Sequence, residues 1–509
     1  MKVLLVVIDA ATPRVVCPAI QTGRLPVMQR LVAAGSMHAN SVTIFPSITP
    51  AATASIITGE YPASSGIAGA AWFEETTQEI AYYGDDFWVI AREGFRSFLR
   101  DFLVRLNGDR LTAPTLFEIT EGADRRAASL NYLVYKGLHE HKVHIPLLLA
   151  MLPGVPLTEV VKGPSTLCLG DFVADVTLKH RVEGAHGLLH RFGMDDAGTG
   201  ALLAELAENG AMSDLTVAYF GDNDFRSHQV GPHAALATVE HVDHMLGRMF
   251  DAAGGMEKML EDTYVIVTSD HGHCEVLADQ DRAVIRLDQV LGDFQRATLG
   301  KPWADGDEVM ICPNMRAAQI YVHESHPDRV RHAKAVMLAD ERVDHLIWRT
   351  LEASDDNRCF TVQSRRGTLK FWSGHSGGDT AKDAFGADWS WRGDLDVLSG
   401  AVEGGYLEWS DYPNAFERIA GALNHTRASM LWATATPGCE FEVEGGKAHV
   451  GGASHGGLHA LESSSPVIVA GPSAVQLPKH LRSVDLAPLI LDLLRVPSPR
   501  AVGDPRAVL

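Results

Sequence analysis

Val3-Leu-Leu-Val-Val-Ile-Asp9 is an unbroken run of Leu and β-branched residues closed by a carboxylate. No polar position interrupts it, so neither face is left for water. Such a run reads as a strand buried on both sides of a parallel sheet. Asp9 then falls at the carboxyl end of the strand, where open α/β sheets place their ligands. Apolar runs recur at Arg126 to Val134, Leu215 to Phe220, Tyr264 to Ser269 and Pro466 to Ala470, with shorter strands expected at Ser41 to Phe45 and Met315 to Val322. Helices are expected at Gln21 to Ala34, at Ala51 to Thr58, and along the stripe Leu236, Val239, Leu246, Met249 and Phe250. A last helix is expected at Val484 to Leu494, with Asp485 as N-cap and Pro488 in its first turn. Strand, loop and helix in alternation predict an α/β fold, a largely parallel sheet flanked by helices.

Two stretches break that rhythm. Residues 136–214 contain Pro-bounded pieces, and residues 340–450 are rich in Trp, Gly and acidic side chains. The expected organisation is a catalytic core built from 1–135, 215–339 and 451–509, with 136–214 and 340–450 inserted as cap segments over the carboxyl edge of the sheet.

The chain has 509 residues and a formal net charge of −20. That balance disfavours binding to a nucleic acid polymer or to an anionic membrane surface. A small anionic substrate stays open, because a local metal site overrides the global field. Cys17, Cys168, Cys274, Cys312, Cys359 and Cys439 are scattered without a CxxC pair, which fits neither a disulfide framework nor a cysteine zinc site. The apolar start is too short for a signal peptide, and no later run is long enough for a membrane span. A cytoplasmic protein is expected.

In Phe45-Pro-Ser-Ile-Thr-Pro-Ala-Ala-Thr-Ala-Ser-Ile-Ile-Thr-Gly59, Thr49 stands between Pro46 and Pro50. The prolines disfavour regular helix at Thr49 and restrict the local backbone. A helix opening just behind the hydroxyl would turn backbone N–H groups toward anything bound there, which suits an anion. By itself Thr49 is an ordinary hydroxyl in a loop. Its context comes from other loops: Asp9, then Asp224 and His228 after the Leu215 strand, then Asp270 and His271 after the Tyr264 strand, and His455 in a Gly-rich loop before the last strand. Carboxylates and imidazoles are ligands of zinc and, with variations, of manganese or iron. Converging on one sheet edge, this set is large enough for two divalent ions, which clamp an in-line displacement at phosphorus. A Thr nucleophile needs such activation.

Together, Asp9 in Val-Ile-Asp, Thr49 followed by Ser-Ile-Ile-Thr-Gly, Asp224-x-x-x-His228-x-x-Gly-Pro232, Ser-Asp270-His271-Gly and His455-Gly resemble the type I phosphodiesterase/nucleotide pyrophosphatase branch of the alkaline phosphatase superfamily. The resemblance covers the catalytic framework and leaves the two insertions outside it. It implies a phosphothreonine intermediate on Thr49. It also implies one ion held by Asp9, Thr49, Asp270 and His271, and a second, facing the leaving group, held by Asp224, His228 and His455. Asp222 and His273 are expected behind the ligands rather than on the ions.

The chain departs from that family at two places. Nucleotide-cleaving members usually carry Phe after the nucleophile, and here Pro50 stands there. The Asn that donates to a phosphoryl oxygen aligns with Ala70. The Thr-Pro-Ala pattern is nearer a phosphonoacetate hydrolase-like loop. The leading expectation is a two-metal phosphodiesterase acting on a small phosphoester. The alternatives are a phosphomonoesterase, a phosphonate (C–P) hydrolase, and a metal-binding pseudoenzyme. A sulfatase lacks support, because no Cys-x-Pro-x-Arg signature is present.

Overall fold

The computed structural model describes residues 1–75, 77–84, 99–145, 158–173, 193–299, 301–350, 359–375, 377–423, 430–444 and 446–505. One half of the fold is a seven-stranded sheet. In chain order the strands are β1 (Lys2–Ile8), β2 (Ser36–Val42), β3 (Ala127–Leu130), β4 (Thr166–Cys168), β5 (Leu215–Phe220), β6 (Thr263–Thr268) and β7 (Ser464–Ala470). In space they run β2-β7-β6-β1-β5-β3-β4. The stretch from β6 to β4 is parallel throughout. Strand β7 is reversed against both β6 and β2.

Alternate residues of β1 explain its unbroken apolar sequence. Val3, Leu5 and Val7 enter one core cluster and Leu4, Val6 and Ile8 the other, so the strand is buried on both faces. Each such side chain contributes roughly 1.5–3 kcal/mol relative to exposure. Helices around the sheet include α1 (Pro13–Gln21), α2 (Pro26–Ala34), α3 (Thr49–Thr58), α4 (Asp196–Glu208), α5 (Asp222–Val230), α6 (Leu236–Ala252) and α8 (Leu486–Leu494), while α7 (Ala415–Leu423) belongs to the other half of the fold.

Several local expectations are corrected. The helix expected at Gln21 to Ala34 starts only at Pro26, and α1, which ends at Gln21, precedes it. The chain leaves α1 through Gly23 at φ 76°, a left-handed conformation, and re-enters helix at Pro26, the first residue of α2. The strand expected at Ser41 to Phe45 runs earlier and ends at Val42, and the Phe45–Pro46 peptide is cis. Asp485 sits at the N-cap of α8 without capping it; its carboxylate instead grips the buried Arg482 guanidinium.

A second sheet of ten strands spans Val309–Asn314 to Met430–Ala435 and is almost entirely antiparallel. The sequence reading did not foresee it. Trp389, Trp391 and Trp432 and the helix α7 build its core, and Phe45 packs on Trp432 at 5.0 Å. The buried ion pair between Arg316 and Glu462 ties this sheet to the segment preceding β7. All six cysteines are free. Among the described residues, no helix is long and apolar enough to cross a membrane.

Candidate active site

The parallel register brings three strand ends level. Ile8 pairs with Phe220 and Val7 with Thr268, so Asp9, the start of α5 and Asp270 leave the sheet side by side. The reversed β7 enters the sheet from this same edge, which brings His455 to it. Helix α3 opens at Thr49 on the same edge, with Ile48 as its extended N-cap residue.

His271 lies at the centre of one half of the site. Its Nδ1 donates to Gly272 O at 3.1 Å, which leaves the Nε2 lone pair facing inward. Thr49 Oγ1 donates to that Nε2 at 3.1 Å. Asp9 Oδ1 and Asp270 Oδ2 each lie 3.5 Å from it. Asp9 is fixed from behind: Tyr219 Oη donates to its Oδ2, and Asn223 Nδ2 donates to its backbone oxygen at 2.8 Å. The backbone N–H of His271 anchors Asp270 Oδ1 at 3.0 Å.

Asp224 and His228 form the other half, one turn apart on α5 and both buried. His228 Nε2 is 3.3 Å from Asp224 Oδ2, and its Nδ1 donates to Ala453 O at 2.7 Å. His455 Nε2 is 3.5 Å from Asp224 Oδ1, and its Nδ1 donates to Ser47 O at 2.9 Å. Ser47 thereby ties the Thr49 loop to the His455 loop, and its hydroxyl donates to Gly457 O at 2.9 Å. Gly456 is required here. Its φ is 112°, and a Cβ would lie 2.3 Å from Asn314 O of the second sheet.

Burial and crowding shift these groups. Desolvation, with repulsion from Asp270 and Asp224, holds Asp9 well above the usual carboxylate range. Burial pushes His273 down to about 3 and His455 well below an ordinary imidazole. Burial would lower His228 too, but the Asp224 carboxylate overrides it and raises His228 to about 9. Burial likewise opposes ionisation of Asp224, yet His228 and His273 hold it well below the usual range.

The residues fit divalent metal. Buried Asp9 Oδ1, Asp270 Oδ2, His228 Nε2 and His455 Nε2 all lack a hydrogen-bond partner. A buried polar atom left unpaired costs about 1–3 kcal/mol, so their convergence marks a place for something the polypeptide does not supply. The sequence-derived ligand residues Asp9, Thr49, Asp224, His228, Asp270, His271 and His455 are thus brought to one edge. Among the described residues, ligand atoms of Asp9, Asp270 and His271 lie within 4.8 Å of one another, as do those of Asp224, His271, His273 and His455.

Sequence reasoning missed Tyr219, Asn223 and Asn314. Tyr219 carried a faint signal, a hydroxyl in an otherwise apolar strand. Asn314 carried none, because it reaches the site from the second sheet. Its Oδ1 accepts from Ala70 N at 2.7 Å and its Nδ2 donates to Ala71 O at 2.9 Å. Both ends of the amide are engaged in pinning the Ala70–Ala71 loop.

The family model of type I phosphodiesterase / nucleotide pyrophosphatase matches residues 3–365. The chain belongs to this family. Membership places it among the hydrolases of phosphoric esters, in the alkaline phosphatase superfamily. In fold, the chain is similar to murine ectonucleotide pyrophosphatase/phosphodiesterase 5, with TM-score 0.56 and 14% identity over 98% of this chain and 97% of that one. It is equally similar to phosphonoacetate hydrolase from Sinorhizobium meliloti 1021, with TM-score 0.55 and 17% identity over 97% and 95%. A shorter likeness joins it to 2,3-bisphosphoglycerate-independent phosphoglycerate mutase of Cereibacter sphaeroides, 40% identical over 75 residues. The matching segment spans 14% of this chain and only 13% of the mutase's length.

Proposed function

We propose that the chain is a two-metal-dependent phosphodiesterase working through a phosphothreonine intermediate on Thr49. The observation that carries this reading is the 3.1 Å approach of the Thr49 hydroxyl to His271 Nε2 within a buried Asp/His set. Asp9, Thr49, Asp270 and His271 would hold one divalent ion, and Asp224, His228 and His455 the other. The donor set suits zinc and accepts manganese or iron. Bound there, such a pair lowers the pKa of the attacking hydroxyl and draws charge from the leaving and non-bridging oxygens.

The chain's own residues do the rest. Thr49 Oγ1 forms a bond to phosphorus as the bond to the leaving oxygen breaks, giving phosphothreonine and an alcohol. Water then attacks the same phosphorus, releases a phosphomonoester and restores the Thr49 hydroxyl. Thr49 opens α3, so the positive end of the helix faces the phosphoryl group. Pro50 removes one N–H from that end, which weakens the cradle. The Tyr219 hydrogen bond holds Asp9 with Oδ1 turned inward.

Phosphonate (C–P) hydrolysis is the second reading. Pro50 in place of Phe favours it, as does the likeness in fold to a phosphonoacetate hydrolase solved in complex with phosphonoacetate. Turnover of bis-p-nitrophenyl phosphate, p-nitrophenyl phosphate and phosphonoacetate, with zinc or manganese added, separates the readings. The diester is expected to turn over fastest. Preference for phosphonoacetate would move the assignment to the second reading, and no turnover by metal-loaded protein would point to a pseudoenzyme.

A further inference from the structure

The buried imidazoles at this edge do not share one orientation. His228, His271 and His455 each donate from Nδ1 to a main-chain carbonyl, of Ala453, Gly272 and Ser47 respectively. A carbonyl only accepts, so Nδ1 carries a proton in each ring and Nε2 is the atom left to face a metal. That is the form a metal ligand needs. His273 is arranged the other way. Its Nε2 lies 2.8 Å from Asp224 Oδ1. A carboxylate that ligates a cation offers no proton, so Nε2 carries the hydrogen and donates it to Asp224 Oδ1. Its Nδ1, 2.7 Å from Ser227 Oγ, accepts from that hydroxyl. The backbone is clamped as well: His273 N donates to Thr12 Oγ1 at 3.0 Å, and Arg14 Nη2 donates to His273 O at 2.9 Å.

From this geometry we infer that His273 is a positioning residue for the second ion. It grips Asp224 Oδ1 and so turns Oδ2 toward the place shared with His228. Ser227 acts one step further back by holding the ring in the tautomer that donates. The sequence Asp270-His271-Gly272-His273 thus divides its histidines between two roles: His271 presents a lone pair, and His273 presents a proton. The short His273–Asp224 contact explains why His273 falls among the clustered ligand-type atoms without ligating.

This inference rests on the two-metal reading, and its test keeps the two apart. Zinc stoichiometry and affinity are measured by chelator competition on wild type, His273→Phe, His273→Gln and Ser227→Ala. Wild type is expected to bind two ions. His273→Phe keeps a buried ring without a donor, and it should weaken one ion roughly 10–100-fold while leaving the other unchanged. His273→Gln should recover part of that loss through its amide N–H, and Ser227→Ala should show a smaller loss at the same ion. The cobalt-substituted proteins supply a spectroscopic readout: the wild-type band pattern should persist, weakened only by occupancy. Equal affinity for both ions in His273→Phe overturns the inference and leaves the two-metal reading standing. A cobalt spectrum that loses a nitrogen ligand in His273→Gln also overturns it, since His273 would then be a ligand itself. Failure of wild type to bind two ions overturns the two-metal reading.

Discussion

Thr49 Oγ1 donates to His271 Nε2 at 3.1 Å across a sequence separation of 222 residues. The contact joins the first residue of a helix to a loop at the end of a strand. Asp9 and Asp270 flank the same nitrogen. A hydroxyl held this way is poised for deprotonation once its neighbours hold a cation.

Replacing Thr49 with Ala should therefore remove turnover by a factor on the order of 10³ or more. Zinc content should stay close to wild type, because the remaining ligands are untouched. Steady-state rates on bis-p-nitrophenyl phosphate, with metal analysis of the same sample, check both parts. A Thr49→Ala protein that keeps its rate would remove Thr49 from the nucleophile position.

The raised His228 pKa sets a direction for pH. In metal-free protein His228 carries a proton up to about pH 9. That proton must leave before Nε2 can ligate, so zinc affinity should rise about tenfold per pH unit between pH 6.5 and 9, then level off. The metal-free fold responds in the opposite sense. A raised pKa stabilises the folded state fully below the unfolded value of about 6.5, and this stabilisation is lost as pH climbs through 9. Chelator competition at several pH values checks the first trend, and melting of metal-free protein checks the second. A flat affinity profile would contradict the Asp224–His228 coupling.

Glu462 should matter beyond its own neighbourhood. It pairs with buried Arg316, and its Oε2 accepts from Gly457 N at 3.0 Å. Arg316 N in turn donates to His455 O at 2.9 Å. Glu462→Ala strands a buried guanidinium, a loss of about 3–5 kcal/mol. It should also loosen the His455 loop and lower zinc affinity at one ion. Urea unfolding and zinc titration of the variant measure the two effects. A stability change under 1 kcal/mol, roughly that of an exposed pair, would show the ion pair to be incidental.

Much of the fold and site was legible because both are written in local patterns. Val3 to Ile8 could only be a strand covered on both faces, and Asp9 could only stand at its end. The pairs Asp224/His228 and Asp270/His271 followed their strands at once, so their edge was readable. Helix boundaries were less so: the helix expected from Gln21 starts at Pro26, beyond the turn at Gly23. Apart from the strand expected at Met315 to Val322, the ten-stranded sheet went unread because its strands are mixed in polarity and joined by turns, and its pairings depend on distant partners such as Met430–Ala435.

The sequence by itself determined which carboxylates and imidazoles stand at the strand ends, and that Pro50 and Ala70 stand in the loops around Thr49. Only the tertiary structure decided three things. It reversed β7, which brings His455 to the same edge as Asp9; an apolar run such as Pro466 to Ala470 reads identically in either direction. It brought Asn314 beneath Ala70 from another sheet. And it separated His271 from His273, two residues apart, into opposite tautomers. The reason is common to all three: strand direction, the pinning of the Ala70 loop and the proton on His273 are fixed by hydrogen-bond partners far away in the chain, and those partners come together only once the chain has folded.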